Sequence, residues 1–203
     1  MKIYNNFENN VPKKLFLAGI HGNESKYTSQ ILENLQKNIS NLKVSGNVII
    51  VPELVKDSKY YSTLNPKYYE TAEGNSLLKL IEKYKPEFYF EIHSYSEKSY
   101  SNLTELKRVD LKGIPPFVDL NNGVLMASIS PILREKFKKS DFCMTLEVPN
   151  WKVLEVENIV LEILEFAVLS KNRNEMIEKI FNKYPKSANR AKWLADEFNL
   201  TFL

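Results

Sequence analysis

Only two histidines occur in the 203-residue chain, and each directly follows a short apolar run that predicts a buried strand. Glu24 lies three residues after the first of them, His21, and Gly22 between them lets the backbone bend so that both side chains converge. The second histidine is His93. Catalytic zinc sites use three nitrogen or oxygen ligands and leave a fourth position for water. The pattern therefore predicts that His21, Glu24 and His93 bind one zinc ion per chain.

Glu24 and His93 also have ordinary structural explanations. Glu24 could be an acidic residue in the first turn of a helix, where the helix dipole stabilises a negative charge. His93 could be a strand-end residue that is hydrogen-bonded to Ser94 or Glu91. Neither explanation accounts for the three residues together, so metal binding is the preferred interpretation.

Two further glutamates lie near the predicted ligands in the sequence. Side chains alternate between the two faces of a strand, so Glu91 points to the same side as His93. It could orient that histidine as a metal ligand, or it could simply lie at the sheet edge. Glu147 ends the apolar segment 142–148, where a buried charge is costly without a role or a partner. It could act as a general base, or it could be a rim carboxylate paired with a lysine.

The elements that must position these side chains alternate between strands and helices. Strands are predicted at 15–20, 48–51, 88–92 and 142–148, and helices around 31–39 and 77–84 and at 131–139, 156–169, 174–182 and 187–198. The segment 94–117 predicts a long irregular loop with at most a short hairpin, and 119–129 is ambiguous. This alternation predicts an α/β fold with a mostly parallel or mixed sheet covered on both faces. Ligands bind at the carboxyl ends of strands in such sheets, which is where both histidines and Glu147 are expected.

Composition narrows the class of protein further. The length fits one domain spanning residues 1–203. The net charge is only +3 and both signs are scattered, which argues against nucleic-acid binding. The single cysteine excludes an intrachain disulfide, and no leader resembling a signal peptide is apparent, so we expect a cytoplasmic protein. No apolar run approaches the roughly 20 residues that a membrane span needs.

Three motifs in this order resemble the zinc carboxypeptidase superfamily, especially its aspartoacylase/succinylglutamate desuccinylase branch. Residues 18–24 (Ala-Gly-Ile-His-Gly-Asn-Glu) resemble the Gly-x-His-Gly-x-Glu metal motif of that family. Residues 91–94 (Glu-Ile-His-Ser) resemble its Asp-x-His segment, and residues 145–148 (Thr-Leu-Glu-Val) the segment that bears its catalytic glutamate. The resemblance implies a three-layer α/β/α sandwich with a mixed central sheet, one zinc ion, and hydrolysis of an amide next to a free carboxylate.

The chain also departs from the pattern of that family. An Asn-Arg pair usually binds the substrate carboxylate, whereas here Asn65 is followed by Pro66 and Lys67. Lys67 or Arg108 is expected to supply the missing cation, although a lysine cannot form the bidentate contact of an arginine. Asn65-Pro66 also fits an ordinary turn. Glu91 stands where the family usually has aspartate, which leaves its orienting role chemically possible.

Two functional hypotheses follow. The first is a zinc-dependent hydrolase that cleaves an amide bond in a small acylated amino acid or at a peptide C-terminus, so that its partner is a substrate with a carboxylate. The second is a catalytically silent module that retains the zinc-site fold and binds a carboxylated ligand or a partner protein. Glu147 favours the enzyme, because a binding module has no need of a base.

Overall fold

The computed structural model describes residues 3–5 and 11–198. Within them the strands are β1 (Tyr4–Asn5), β2 (Lys13–Ala18), β3 (Asn47–Val51), β4 (Phe88–Tyr95), β5 (Val118–Asn121), β6 (Val124–Ala127) and β7 (Phe142–Pro149). They form one mixed sheet in the order β1-β3-β2-β4-β7-β6-β5. The four central strands, β3, β2, β4 and β7, are parallel, and β1, β6 and β5 pair antiparallel at the two sides. The carboxyl ends of the central strands therefore meet along one edge of the sheet.

The helices of the described residues are α1 (Ser25–Ile39), α2 (Ala72–Tyr84), α3 (Tyr100–Thr104), α4 (Lys107–Lys112), α5 (Pro131–Arg134), α6 (Val153–Leu169), α7 (Arg173–Lys183) and α8 (Pro185–Glu197). Short 3-10 helices cover Pro66–Glu70 and Glu97–Ser99. Side-chain caps define some starts: the Thr71 hydroxyl accepts from the Gly74 N–H before α2, and the Asn172 amide oxygen accepts from the Glu175 N–H before α7. Among the described helices, none combines the length and apolar character that crossing a bilayer requires.

The sheet is covered on both faces, because alternate residues of each central strand are apolar on either side. Phe16, Phe90 and Met144 face a large core formed with α1, α6, α7 and α8. Leu17 and Tyr89 face a smaller core with α2 and α5. The expected three-layer α/β arrangement is thus confirmed.

The second face has a polar gap between two apolar regions. The smaller core occupies one side of it, and a cluster of Tyr95, Phe117 and Leu125 occupies the other. In β4 and β7, the residues that face this gap are polar, and they are Glu91, His93, Thr145 and Glu147. The fold therefore leaves part of one sheet face uncovered by apolar packing, and it does so at the carboxyl ends of two neighbouring strands.

Several element boundaries differ from the sequence-based expectations. β4 continues beyond His93 to Tyr95, because Ser94 and Tyr95 pair with Val148 and Pro149 of β7. The helix expected at 131–139 ends at Arg134. The segment expected to be an irregular loop at 94–117 contains α3, α4 and a 3-10 helix.

The ambiguous segment 119–129 is largely a β-hairpin formed by β5 and β6. Asn122 and Gly123 connect the two strands, and both have positive φ angles, of 52° and 83°. Asn-Gly is a preferred pair for two-residue hairpin turns, since both residues tolerate positive φ. The hairpin therefore has a local marker in the sequence, and this marker resolves the ambiguity in favour of two strands.

Candidate metal centre and adjoining cleft

The turn between β2 and α1 positions His21 and Glu24. Gly19 has a φ of +60°, and a Cβ there would lie 2.9 Å from the Ser25 Cβ, so glycine is required at this bend. The neighbouring loop fixes the turn through two hydrogen bonds. The Gly22 N–H donates to Ser58 Oγ at 3.1 Å, and Ser25 Oγ donates to the Lys56 carbonyl at 2.8 Å. These contacts hold His21 and Glu24 in a defined geometry.

The two histidines and Glu24 converge on one point, as expected from the sequence. Glu24 Oε2 lies 3.4 Å from His21 Nδ1 and 3.1 Å from His93 Nδ1. One potential ligand atom from each of the three buried residues lies within 4.8 Å of the others. Zinc–nitrogen bonds of about 2.0–2.1 Å in a tetrahedral site imply ligand–ligand separations of about 3.3 Å. The two distances from Glu24 to the histidines match this value, and the three side chains together lie close enough to hold a metal ion.

The hydrogen bonding of these residues fits the same interpretation. Among the described residues, buried His21 Nδ1 has no hydrogen-bond partner, and a metal ion would satisfy it. Burial, together with the nearby charge of His93, lowers the pKa of His21 to about 4, which leaves its imidazole neutral. Glu24 stands at the N-cap position of α1, but its carboxylate forms no capping bond to the helix. Its carboxylate faces the histidines instead.

Glu91 lies beside His93 and is firmly held. Its Oε1 is 3.6 Å from His93 Nε2 and accepts from Thr145 Oγ1 at 2.7 Å, while its Oε2 accepts from Tyr89 Oη at 3.1 Å. Burial raises the pKa of Glu91, but contacts with His93, Thr145 and Tyr89 outweigh it and lower the pKa overall. Because β2 and β7 flank β4, Glu91 does not lie at a sheet edge. This position would allow Glu91 to orient His93 as a metal ligand.

Two carboxylates also act on His93 itself. Burial alone lowers the pKa of His93, but the negative charges of Glu24 and Glu91 raise it well above its ordinary value. In the absence of an ion, His93 therefore attracts a proton to the centre of the cluster. A divalent cation would supply positive charge at the same place.

Glu147 lies on β7, directly opposite His93 on β4. Its Oε2 is buried without a hydrogen-bond partner among the described residues. Burial raises its pKa to about 7, where Glu24 adds to the effect and His93 and Arg108 oppose it. None of the ion pairs found in residues 3–5 and 11–198 joins Glu147 to a lysine. A pKa close to neutrality suits a group that accepts and returns a proton.

A cleft of about 1090 Å³ opens beside this centre, and Arg108 of α4 lies in its wall. Arg108 is buried, and its guanidinium lies over the Phe117 ring, with its Cζ 5.0 Å from the ring centroid. Asn65 and Lys67 are exposed and do not line the cleft. The Asn65 side chain accepts from the Lys67 N–H at 3.0 Å and starts the 3-10 helix, as in an ordinary turn. The structure thus brings Arg108 to the cleft and leaves Asn65 and Lys67 outside it.

Tyr60 also belongs to the site, although no sequence pattern predicts it. Its ring packs edge-on against His21, with the centroids 4.6 Å apart, and it lines the cleft. Although the whole residue is 64% exposed, partial desolvation raises its pKa, and the charges of Glu24 and Glu147 add to this while His93 opposes it. Tyr60 lies in the irregular segment between β3 and the first 3-10 helix, where it follows no strand end and belongs to no periodic pattern.

A solved structure with a similar fold is known. It is the crystal structure of an aspartoacylase family protein from Mesorhizobium loti, with a TM-score of 0.50 and 14% sequence identity. The match covers 83% of this chain and 62% of that one, so this chain spans less than two thirds of the other protein. At this identity the similarity shows the fold alone, and it agrees with the α/β architecture expected from the sequence.

A relative in Methanocaldococcus jannaschii, which is described as an uncharacterized protein, is much more similar in sequence. It is 46% identical over 194 residues, which cover 96% of this chain and 95% of the relative. The model of a family described as "Uncharacterized protein conserved in archaea (DUF2119)" matches residues 9–200. The chain therefore belongs to this archaeal family, DUF2119.

Proposed function

We propose that this protein is a zinc-dependent hydrolase that cleaves an amide bond in an acylated amino acid or at a peptide C-terminus. One observation carries the proposal. A buried His-Glu-His cluster, a glutamate with an unsatisfied buried oxygen and an arginine without an ion-pair partner face a single cleft within the described residues. The fold of the aspartoacylase family protein supports the same reaction class by analogy.

The metal would be held by His21 Nδ1, Glu24 Oε2 and His93 Nδ1. Two imidazole nitrogens and one carboxylate are a donor set that catalytic zinc sites use. When bound, such an ion polarises the scissile carbonyl and lowers the pKa of a water molecule. Glu91, fixed by Thr145 and Tyr89, keeps the imidazole of His93 in the orientation that presents Nδ1 to the cluster.

Glu147 is the general base of the proposed reaction. Its carboxylate accepts a proton from the attacking water and returns it to the leaving nitrogen of the amide. Burial places its pKa near 7 in the absence of an ion, so both proton transfers are energetically accessible. Glu147 pairs with His93 on the neighbouring strand, so the backbones of the proposed base and of a proposed metal ligand are one strand spacing, about 4.8 Å, apart.

Arg108 binds the free carboxylate of the substrate. The residue is buried, and its Nε has no hydrogen-bond partner within the described residues. A guanidinium matches a carboxylate with two parallel hydrogen bonds, which fixes the orientation of a substrate as well as its affinity. Arg108 therefore takes the anchoring role for which Lys67 was the other choice.

A second candidate function is a catalytically silent module that binds a carboxylated ligand or a partner protein. The buried guanidinium of Arg108 favours it as much as it favours the enzyme, because anion binding needs no chemistry. Glu147 distinguishes the two functions. A module of this kind gains nothing from a carboxylate with a buried, unpartnered oxygen and a pKa near 7.

The deciding experiment is turnover by zinc-loaded protein on a panel of N-acyl amino acids and short peptides, with release of a free amine as the signal. We expect hydrolysis that a chelator abolishes and that added zinc restores. Glu147→Gln should bind substrate but fail to turn it over. Saturable binding by the wild type without any turnover on the panel would favour the silent module instead.

A further inference from the structure

Arg108 is a buried cation without an anionic partner in contact. Its side chain lies in the wall of the cleft, the whole residue is 8% exposed, and its Nε has no hydrogen-bond partner among the described residues. No ion pair of the described residues involves it. Burying an unpaired charge is costly, so the site is completed when an anion enters the cleft.

The surroundings of Arg108 determine what can be attached to that anion. The Phe117 ring covers one face of the guanidinium, which leaves its N–H edge for a carboxylate. The preceding residues, Ile114, Pro115 and Pro116, also line the cleft. The Phe117 N–H donates to the Leu103 carbonyl at 2.8 Å and fixes this apolar segment in place. A carboxylate bound to Arg108 is therefore next to an apolar wall.

Among the described residues, the cleft offers no second buried cation that is free to bind an acidic side chain, because His93 is already paired with Glu24 and Glu91. Lys112 and Lys139 line it but are exposed. Arg134 is occupied, because its guanidinium donates to the carbonyls of Lys138 and Asp141 at 2.9 and 3.3 Å. A substrate with two carboxylates could pair only one of them with a buried cation, and the other would lose its hydration beside the apolar wall.

The size of the cleft also points away from a small polar substrate. Its volume of about 1090 Å³ reaches the upper end of the range typical of ligand pockets, roughly 300–1,000 Å³. Leu111 adds further apolar surface, since it is 67% exposed and lines the cleft.

We propose that the cleft is specific for a single carboxylate with a bulky apolar group beside it, so that the amino acid released by hydrolysis is aromatic or large and aliphatic, not acidic. This inference rests on the proposed function only for the hydrolysis step. Arg108 anchors the carboxylate, and the wall of residues 111–117 receives the side chain.

Binding can be measured without metal or chemistry, by calorimetry in the presence of a chelator. The ligands are N-acetyl-phenylalanine and N-acetyl-aspartate. Burying an aromatic side chain contributes enough free energy for about 10–100-fold in affinity, so the phenylalanine compound should bind that much more tightly. Equal binding, tighter binding of N-acetyl-aspartate, or no measurable binding of either compound would overturn the proposal.

A matched pair of leucines controls this measurement. Leu111→Asp should weaken N-acetyl-phenylalanine binding about tenfold, because it puts a charge into the apolar wall. Leu106→Asp changes a leucine that is 48% exposed at the start of the same helix but does not line the cleft, so it should bind as the wild type does. Both sites are on the surface, so folding should be retained in each. An equal effect of the two variants would contradict the assignment of the wall.

Turnover by zinc-loaded protein separates this inference from the proposed function. Preferential binding of the apolar ligand with no hydrolysis would support the side-chain preference and refute the hydrolase. Faster hydrolysis of N-acetyl-aspartate than of N-acetyl-phenylalanine would support the hydrolase and refute the side-chain preference.

Discussion

His93 and Glu147 lie directly opposite each other on the neighbouring parallel strands β4 and β7. The same register pairs Glu91 with Thr145, two residues earlier on each strand. Because side chains alternate along a strand, all four residues face the same side of the sheet. The four residues thus form a two-by-two block on the sheet. His93 is the predicted ligand, Glu91 is the carboxylate predicted to orient it, Thr145 donates a hydrogen bond to Glu91, and Glu147 is the predicted base. Hydrogen bonds between two central strands fix the distances within the block.

Metal content tests the ligand set. The wild-type protein should bind about one zinc ion per chain, and His21→Ala and His93→Ala should each lose it, because two remaining donors do not form a tight site. Elemental analysis after extensive washing measures the occupancy. Glu135→Ala, which removes an exposed acid that also lines the cleft, is the control and should retain the metal. Full occupancy in a histidine variant would show that this histidine is not a ligand.

Thr145 should act on the metal through Glu91. Thr145→Val removes the hydroxyl that donates to Glu91 at 2.7 Å while keeping the shape of the side chain. Loss of such outer contacts weakens metal binding by roughly 10–100-fold, and we expect the lower part of that range. Competition with a chromophoric chelator gives the Kd. Thr145→Ser keeps the hydroxyl and should bind zinc as the wild type does; unchanged affinity in Thr145→Val would separate Thr145 from the site.

Glu147 should affect chemistry and not assembly. Glu147→Gln preserves the shape and removes the base, so kcat should fall by about 10²–10⁴-fold, equivalent to roughly 3–5 kcal/mol of barrier. Zinc content should remain normal, and Glu135→Gln should retain kcat. A kcat within a few-fold of the wild type would show that Glu147 has only a structural role. Loss of zinc would instead make it a ligand.

Substrate affinity shows whether Arg108 or Lys67 binds the substrate carboxylate. Arg108→Met should raise KM by roughly 10–100-fold, since a hydrogen-bonded charge pair contributes about 1.5–3 kcal/mol. Lys67→Met should leave KM unchanged, because Lys67 is exposed and outside the cleft. Steady-state kinetics on the best substrate of the panel measures both. A larger increase in KM for Lys67→Met than for Arg108→Met would show that Lys67, and not Arg108, binds the substrate carboxylate.

Lys14 should make the stability of the fold depend on pH. Its Nζ is fully buried and donates to the carbonyls of Val168 and Ser170, both at 2.7 Å, and burial lowers its pKa to about 7. The pKa of an unfolded lysine is about 10.4, so between these values the unfolded chain binds a proton that the folded protein releases. The contribution of Lys14 to the free energy of unfolding therefore increases as pH rises from about 7 to about 10.

Urea unfolding at pH 7, 8 and 9 tests this dependence. At each pH, the free energy of unfolding of Lys14→Met is subtracted from that of the wild type, and the difference is the contribution of Lys14. This difference should increase with pH, by at most about 1.4 kcal/mol per pH unit. A difference that stays constant across this range would show that the buried amine keeps its proton in the folded protein.

The sequence by itself determined the four central strands and the order of the chemical groups, whereas β1 was not predicted and the hairpin of β5 and β6 was left ambiguous. The apolar runs before His21 and around 142–148 are long enough and bounded well enough to specify buried strands β2 and β7. The spacing of two residues between Glu91 and His93 is sufficient to place both on one face of a strand. These features are local, since they depend on neighbours within a few residues of the chain.

Only the tertiary structure decided which strands are neighbours and which loops reach the cleft. The His93–Glu147 register depends on β4 pairing with β7, and this pairing also extends β4 beyond the point at which its apolar run ends. Tyr60 comes from an irregular segment and Arg108 from the short helix α4, and only the tertiary structure brings both to the wall of the cleft. Asn65 and Lys67 are candidates by sequence because Asn65 resembles half of the Asn-Arg pair of the zinc carboxypeptidase superfamily, but they form a surface turn. Contacts between distant segments depend on the packing of the whole core, so a local sequence pattern does not predict them.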